Sequence, residues 1–527
     1  MNLVTDPWIP VITSEGEADF ASLMQIFTKG ERYADLSVRP HERVALMRLL
    51  ICVAQAALDG PKDRQEWQKV PEKLPGAARK YLKKWQGSFD LFHPKKPFLQ
   101  VVGLKSKELT PVSKMDFALA TGNNATLFDH VAAFENIREF QPAQIAMMLL
   151  TFQCFSPGGG LPITKWGGKK TVQVGNPDAL CITGGMYHTF IRGETLKQTI
   201  RLNLLTKATV KRHYGKVNIA SSWGRPAWEK FPESPKDKKA IENATRTYLG
   251  RLIPICRWIK VEPDCKFIHC GKGFDYPVLE RKIKKPKKNK SSIPIWPAEP
   301  TATVVLNKDK TERIVLGAKP DKAIWRELTA LLITRNEDEI GGPLVFQNVL
   351  PKNGFDIHVC ALIRDQASVE SMVESVFNIN PAFLADNERL VYENSVTESE
   401  TMSRKLSYAV ETYRRNIDNN WDTRCESVGK DRNALKRLLC SKATRSYWTA
   451  VEKSRQLLMA HVNALGTTES EPTQKAWRSV IHKAAREAYS AACGQETPRQ
   501  IRAFALGWKK LFYEPKPEAD KQEDGGE

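Results

Sequence analysis

The sequence predicts an α+β chain, with an irregular mixed α/β body over residues 1–385 and an antiparallel four-helix bundle over residues 386–513. Three observations carry that expectation. At 527 residues the chain exceeds what one ordinary hydrophobic core organises, so two or three domains are expected. Up to about residue 385 short apolar runs alternate with Gly and Pro, whereas beyond it apolar residues recur at the spacing of long amphipathic helices. No β-α-β regularity marks a doubly wound sheet, and no internal repeat is visible.

Within the body, Val44, Leu46, Met47, Leu50 and Val53 lie at helical spacing in the segment 42–58. Residues 303–306 and 355–363 read as strands. In the second, Phe355, Ile357, Val359, Ala361 and Ile363 alternate with their neighbours. The residues that follow (Val369, Met372, Val373, Val376 and Phe377) fit helical spacing as readily as the return strand of a hairpin.

In the bundle, Met402, Leu406, Ala409, Val410, Tyr413 and Ile417 form one apolar stripe. Trp448, Val451, Leu458 and Val462 form a second, on a segment of roughly 433–465, and Trp477, Val480, Ile481, Ala484, Ala488 and Tyr489 a third. The fourth helix opens at Thr497-Pro498, a cap residue followed by proline at the first helical position. It carries Ile501, Phe504, Ala505, Trp508, Leu511 and Phe512. Short connections make such helices antiparallel neighbours. Residues 514–527 are acidic and lack aromatics, so a disordered tail is expected, and the basic run 281–290 (RKIKKPKKNK) reads as a solvated loop.

Charge narrows the function classes. Eighty Lys and Arg against sixty Asp and Glu give a formal net charge of +20 and a pI near 9.4. That excess favours polyanions, because each neutralised phosphate releases condensed counterions. The opening MNLVTDPWIPV has no signal-peptide pattern, and no run of about eighteen apolar residues predicts a membrane span. Ten scattered cysteines without a CxxC pair are expected in a reducing cytoplasm.

Catalytic and metal signals are weak. Cys265, His269 and Cys270 lack a fourth ligand at convincing spacing and read as ordinary thiols near a loop; no metal or cofactor is expected. The glycines at 158–160 do not continue into a Walker pattern, and no HExxH is present. Nucleic-acid signals are stronger. Residues 157–170 (PGGGLPITKWGGKK) combine Gly158, Gly159 and Gly160 with Lys165, Lys169, Lys170 and an interleaved Trp166. Bare backbone there can approach a groove while lysines neutralise phosphates. On the bundle, Arg414, Arg415, Lys436, Arg437, Arg445, Arg478, Lys483 and Arg486 lie mostly off the apolar stripes, a basic face able to track DNA.

Four ordered segments resemble a known family. They are Asn2-Leu3 with Pro7-Trp8-Ile9-Pro10-Val11; His93-Pro94 with Pro97-Phe98-Leu99-Gln100; Phe190-Ile191-Arg192-Gly193 before Leu202-Asn203-Leu204-Leu205-Thr206; and Arg364-Asp365-Gln366-Ala367-Ser368. Together they resemble the CasA family, the large subunit of the type I-E CRISPR surveillance complex, Cascade. The resemblance implies a non-catalytic subunit that checks the short flanking motif (PAM) of double-stranded DNA from the minor groove. It further implies the start of unwinding for R-loop formation, a place among guide-RNA-loaded Cascade subunits, and help in recruiting a helicase–nuclease. By the same resemblance, Gly158, Gly159 and Gly160 match the family's glycine loop. Gln366, flanked by Asp365 and Ala367, matches its wedge, Lys287 or Lys288 its PAM lysine, and Phe128 and Asp129 a target-engagement loop. Asp365 stands where the family often has Asn. A metal-dependent nuclease and a generic basic RNA-binding scaffold remain the alternative readings of the residues alone.

Overall fold

The helix expected at 42–58 occupies Pro40–Leu58 in the computed structural model of the chain, which describes residues 1–117, 139–158, 160–171, 179–181, 185–214, 222–274, 276, 299–336, 338–347, 354–365, 368–418 and 430–512. Contacts divide the chain into two units, Met1–Pro381 and Ala382–Glu527. Among the described residues no helix is long and apolar enough to cross a membrane.

In the first unit, proline opens Pro40–Leu58, and the Glu42 side chain accepts the Arg39 backbone N–H at 3.0 Å. Asp59 ends it in the left-handed region at φ 52°. The helix is buried nearly all round, so the arginine at its middle, Arg48, needs a partner. Arg48 is fully buried and pairs with Glu299, which also accepts from Arg251 Nε at 2.8 Å. Burial alone would raise the Glu299 carboxyl, but the two guanidiniums outweigh it and hold the group down to about 2.

Among the described residues the strands form five small antiparallel sheets. Ile9–Thr13 lies between Ala18–Ala21 and Tyr33–Leu36. Phe267–Gly271 lies between Thr110–Pro111 and Trp258–Val261, and Thr164–Trp166 between Lys105–Ser106 and Lys169–Lys170. Val304–Leu306 pairs with Arg313–Val315. The longest strands, Phe355–Asp365 and Ser368–Ile379, form a hairpin whose first strand also pairs with His188–Arg192. The ambiguity after residue 367 therefore resolves to strand. Cross-strand hydrogen bonding from Phe355↔Ile379 to Asp365↔Ser368 overrides a pattern in which Met372 and Val373 mimic a helix.

The second unit holds the helices Asp386–Asp418, Lys430–Lys453, Arg455–Asn463, Ser470–Ala492 and Pro498–Leu511. Neighbours run antiparallel: Tyr447 Oη donates to the Ser399 carbonyl while Cys440 Sγ donates to that of Ser407, and Tyr489 Oη donates to the Phe504 carbonyl. The segment expected as one helix over 433–465 is broken at Ser454. Its hydroxyl donates to the Ala450 carbonyl, the acceptor its own N–H would use in an unbroken helix, and that N–H turns to Val451. The Thr497 cap is present with its reciprocal partner, Gln500.

Two stripes depart from expectation in part. Val451, Leu458 and Val462 are buried as expected, but Tyr447 is buried in place of Trp448, which is half-exposed. On the last helix Ala503, Gly507 and Leu511 are buried, while Ile501 is 53% and Phe512 39% exposed. A Cβ on Gly507 would lie 2.0 Å from Tyr489 Oη and 2.6 Å from the Ala409 carbonyl oxygen. Backbone contact at Gly507 thus turns the small residues inward and leaves Phe504, Trp508 and Phe512 as a ladder along the flank, with centroids 5.6 and 5.3 Å apart.

Candidate nucleic-acid interface

The glycine segment follows directly from a buried helix. Pro142–Phe155 ends at Ser156, and Gln153 on its last turn accepts the backbone N–H groups of Cys256 and Arg257 at 2.8 and 2.9 Å. Arg257, itself buried, donates through Nη2 to the Pro157 carbonyl at 2.7 Å. The residue before the glycines is thereby clamped. Gly158 is half-buried and Gly160 exposed; Gly159 lies outside the described residues. A Cβ on Gly160 would meet nothing within 4 Å, so packing does not demand glycine there and the main chain stands open.

Beyond it, Trp166-Gly167-Gly168-Lys169 makes a two-residue hairpin turn, with φ 56° and 76° at the glycines, the combination a type I′ turn requires. Trp166 is 7% exposed and packs edge-on against Trp258 at 5.4 Å, so it anchors the hairpin and offers no exposed stacking face. Lys165 pairs across the sheet with Lys170 on one side and Lys105 on the other. The three stand in one row and all are exposed. No described acidic residue pairs with any of them. Like charges directly opposite one another are unfavourable in a free sheet, and a row of them is relieved by a polyanion. Lys105 escaped the sequence reading, because only strand register brings it beside Lys165.

The stem of the glycine segment connects to the long hairpin. The Ser156 carbonyl accepts the Ala179 N–H at 3.0 Å, and the His188 ring bonds the Cys181 carbonyl at 2.8 Å. His188 is the register partner of Cys360 on the hairpin. Burial foremost, then Arg48, pushes His188 down to about 4, so it bridges as a neutral ring. At the hairpin end the ladder reaches Asp365↔Ser368. The Asp365 side chain and residues Gln366 and Ala367 lie outside the described residues, as do Lys287, Lys288, Phe128 and Asp129.

The bundle face is less basic than its sequence implied. Arg414 is 9% exposed and bound by Glu411 at 2.8 Å, a correction to its expected place on the solvent side. It is drawn in because Glu411, one turn earlier, is itself buried and needs a cation. Arg415 shares Glu411 at 2.9 Å, Arg478 pairs with Glu398 at 2.9 Å, and Lys483 lies 3.9 Å from Glu487. Arg445 is exposed, and Arg486 sits 5.9 Å from the Phe512 ring centroid. Lys436 and Arg437 lie on the helix Lys430–Lys453, with side chains outside the described residues.

One arrangement has the order of a hydrolytic triad. Ser106 Oγ lies 2.8 Å from His269 Nδ1, and His269 Nε2 lies 3.1 Å from Glu262 Oε1. The Ser106 backbone N–H, however, donates to the same Nδ1 at 3.0 Å, and Oγ donates to the Glu108 carbonyl at 2.6 Å. The ring nitrogen is already engaged and the hydroxyl proton points elsewhere, so the set fastens a loop and does not activate a nucleophile. Cys265, His269 and Cys270 do not converge: His269 and Cys270 are consecutive on a strand and face opposite sides, and both His269 nitrogens are engaged. Among the described residues the group able to hold a metal ion is His358, Cys360 and Glu374, not a cluster of carboxylates.

Comparison with known proteins matches this architecture. The CasA/Cse1 protein of Thermus thermophilus is 26% identical over 515 residues, covering 93% of this chain and 92% of that protein. The crystal structure of T. thermophilus CasA superposes with a TM-score of 0.72 at 22% identity, over 97% of this chain and 98% of that one. Thermobifida fusca Cse1 gives 0.70 at 20% identity, with 97% and 98% covered. A chain of a CRISPR RNA-guided surveillance complex gives 0.70 at 16% identity, with 97% and 99% covered. The family described as CRISPR-associated protein Cse1 matches residues 2–488. The chain therefore belongs to the CRISPR-associated protein Cse1 family, the CasA family that its ordered motifs resemble.

Proposed function

We propose that the chain is the DNA-reading large subunit of a type I-E CRISPR RNA-guided surveillance complex. It recognises the PAM from the minor groove, opens the first base pairs, and is not itself an enzyme. The observation that carries this reading is the exposed backbone at Gly160, five residues before Lys165 in the row Lys105, Lys165 and Lys170 that no described acid pairs. Main chain at Gly158, Gly159 and Gly160 reaches a groove floor that side chains would block. The lysines hold the flanking phosphates and so fix register without reading sequence. Minor-groove edges distinguish mainly A·T from G·C, so several PAMs are tolerated.

Gln366, flanked by Asp365 and Ala367, wedges beneath the last PAM pair, with Lys287 or Lys288 approaching from the side. Unstacking a step takes a few kcal/mol, which phosphate contacts offset. Phe128 and Asp129 engage the target beyond the PAM. Arg445, Arg486, Lys436 and Arg437 hold the displaced strand, with Arg415, Arg478 and Lys483 contributing less because each already faces a carboxylate. The guide RNA arrives with the other Cascade subunits, and a helicase–nuclease docks once the strands part.

Co-purification with tagged chain tests assembly: a processed CRISPR RNA and partner subunits should accompany it, and a chain that purifies alone contradicts the reading. Incubation with duplex DNA and Mg²⁺ or Mn²⁺ separates the nuclease alternative, since no cleavage is expected from this chain. Equal affinity for RNA and DNA, independent of any flank, would favour the scaffold alternative.

A further inference from the structure

We propose that His358, Cys360 and Glu374 form a binding site for one zinc-class divalent ion, clamping the two strands of the long hairpin together. Register places the ligands. Cys360 and Glu374 are direct cross-strand partners, and His358 projects from the same face two residues before Cys360. Their ligand atoms all lie within 4.8 Å of one another, with His358 Nε2 3.0 Å from Glu374 Oε2. A tetrahedral zinc with bonds of about 2.0–2.3 Å needs ligands roughly 3.5 Å apart, so small side-chain rotations close the set.

Donor chemistry selects the ion. Imidazole, thiolate and carboxylate together suit zinc and its borderline neighbours, whereas magnesium and calcium take oxygen alone. Cys360 is buried and the His358 side chain is 9% exposed, but the Glu374 side chain is 42% exposed. The site thus opens on one side, leaving an entry path and room for water as a fourth ligand.

The surrounding charges fit. Arg43 Nε is buried without a hydrogen-bond partner and lies 3.9 Å from Glu374 Oε2. Its Nη1 is neutralised by Asp35 at 2.5 Å, and Asp35 also faces Arg192 Nε at 3.4 Å. With one Glu374 oxygen on the metal, Arg43 can hold the carboxylate from behind, as outer partners of metal ligands do. Binding releases the Cys360 thiol proton to solvent and leaves a metal–thiolate bond.

The full-length chain titrated with Co²⁺ as a spectroscopic stand-in tests the site. One ion per chain should bind, giving a thiolate-to-cobalt charge-transfer band and the visible bands of a four-coordinate ion. Cys360→Ala should abolish the charge-transfer band, and Glu374→Gln should weaken binding about tenfold or more. Zn²⁺ should raise the melting midpoint of the wild-type chain by more than that of either variant at the same concentration. Because Glu374 is half-exposed, its variant carries the test even if Cys360→Ala does not fold. Absence of the band from the wild type, or its survival at undiminished affinity in Glu374→Gln, overturns the proposal, leaving a metal-free histidine–carboxylate hydrogen bond beside a buried thiol.

Discussion

The glycine hairpin and the C-terminal bundle are both rich in lysine and arginine, yet they dispose of that charge in opposite ways. In the hairpin, Lys105, Lys165 and Lys170 stand side by side across three strands with no described acid to meet them. In the bundle, Glu411 binds both Arg414 and Arg415, Glu398 takes Arg478, and Glu487 lies near Lys483. The second region has the longer roster of cations and the smaller share available to a ligand. Charge density along a sequence is therefore a poor measure of binding capacity, and the count that matters is of cations left without a partner.

Substitutions in the two regions should separate along that line. The largest effect is expected where charge is most deeply buried. Arg48→Ala leaves Arg251 as the one cation bonded to the Glu299 carboxylate and should destabilise the first unit by about 3–5 kcal/mol, read by denaturant unfolding. The same cluster predicts a pH dependence. Glu299 is held down to about 2 in the folded chain against an ordinary value of 4.5, so its contribution is complete above 4.5 and is lost as pH falls toward 2. Glu299→Gln should flatten that part of the stability profile, and an unchanged slope would count against the cluster.

In the bundle, Gly507→Ala places a methyl 2.0 Å from Tyr489 Oη and should destabilise by about 1–3 kcal/mol, visible as a lower melting midpoint of the second unit. The lysine row should behave in the reverse sense. Replacing Lys105, Lys165 and Lys170 by Ala should leave folding intact, within about 0.5 kcal/mol, because exposed substitutions seldom do more. In the assembled complex it should weaken DNA binding on every sequence and reduce the salt slope by about 0.9 for each phosphate no longer neutralised. The smallest effect on DNA is expected from Arg478→Ala and Lys483→Ala, whose charges already face carboxylates.

Much of this arrangement could be read before any coordinates. The Thr497-Pro498 start, the helix at 42–58 and the strand at 355–363 each depend on local chemistry, and each is found. What escaped depends on distance or on backbone contact. Lys105 joins Lys165 only through strand register, across some sixty residues of chain. Aromatic residues set the expected face of the last helix, yet Gly507, which hydropathy scarcely weighs, sets the observed one. Arg414 looked like a surface residue because its partner, Glu411, breaks no apolar pattern while being buried. Ser454 interrupts a periodic segment through a hydroxyl–carbonyl bond that periodicity cannot register.

The most direct measurement is opening of the duplex beside the PAM, followed by a fluorescent base analogue in the reconstituted complex. Wild-type chain should open only PAM-bearing duplex. Gln366→Ala should still bind that duplex but fail to open it, whereas the triple lysine variant should bind all duplexes more weakly with its PAM preference unchanged. Undiminished opening by Gln366→Ala, or a changed PAM preference in the lysine variant, would contradict the division of labour between wedge and phosphate row.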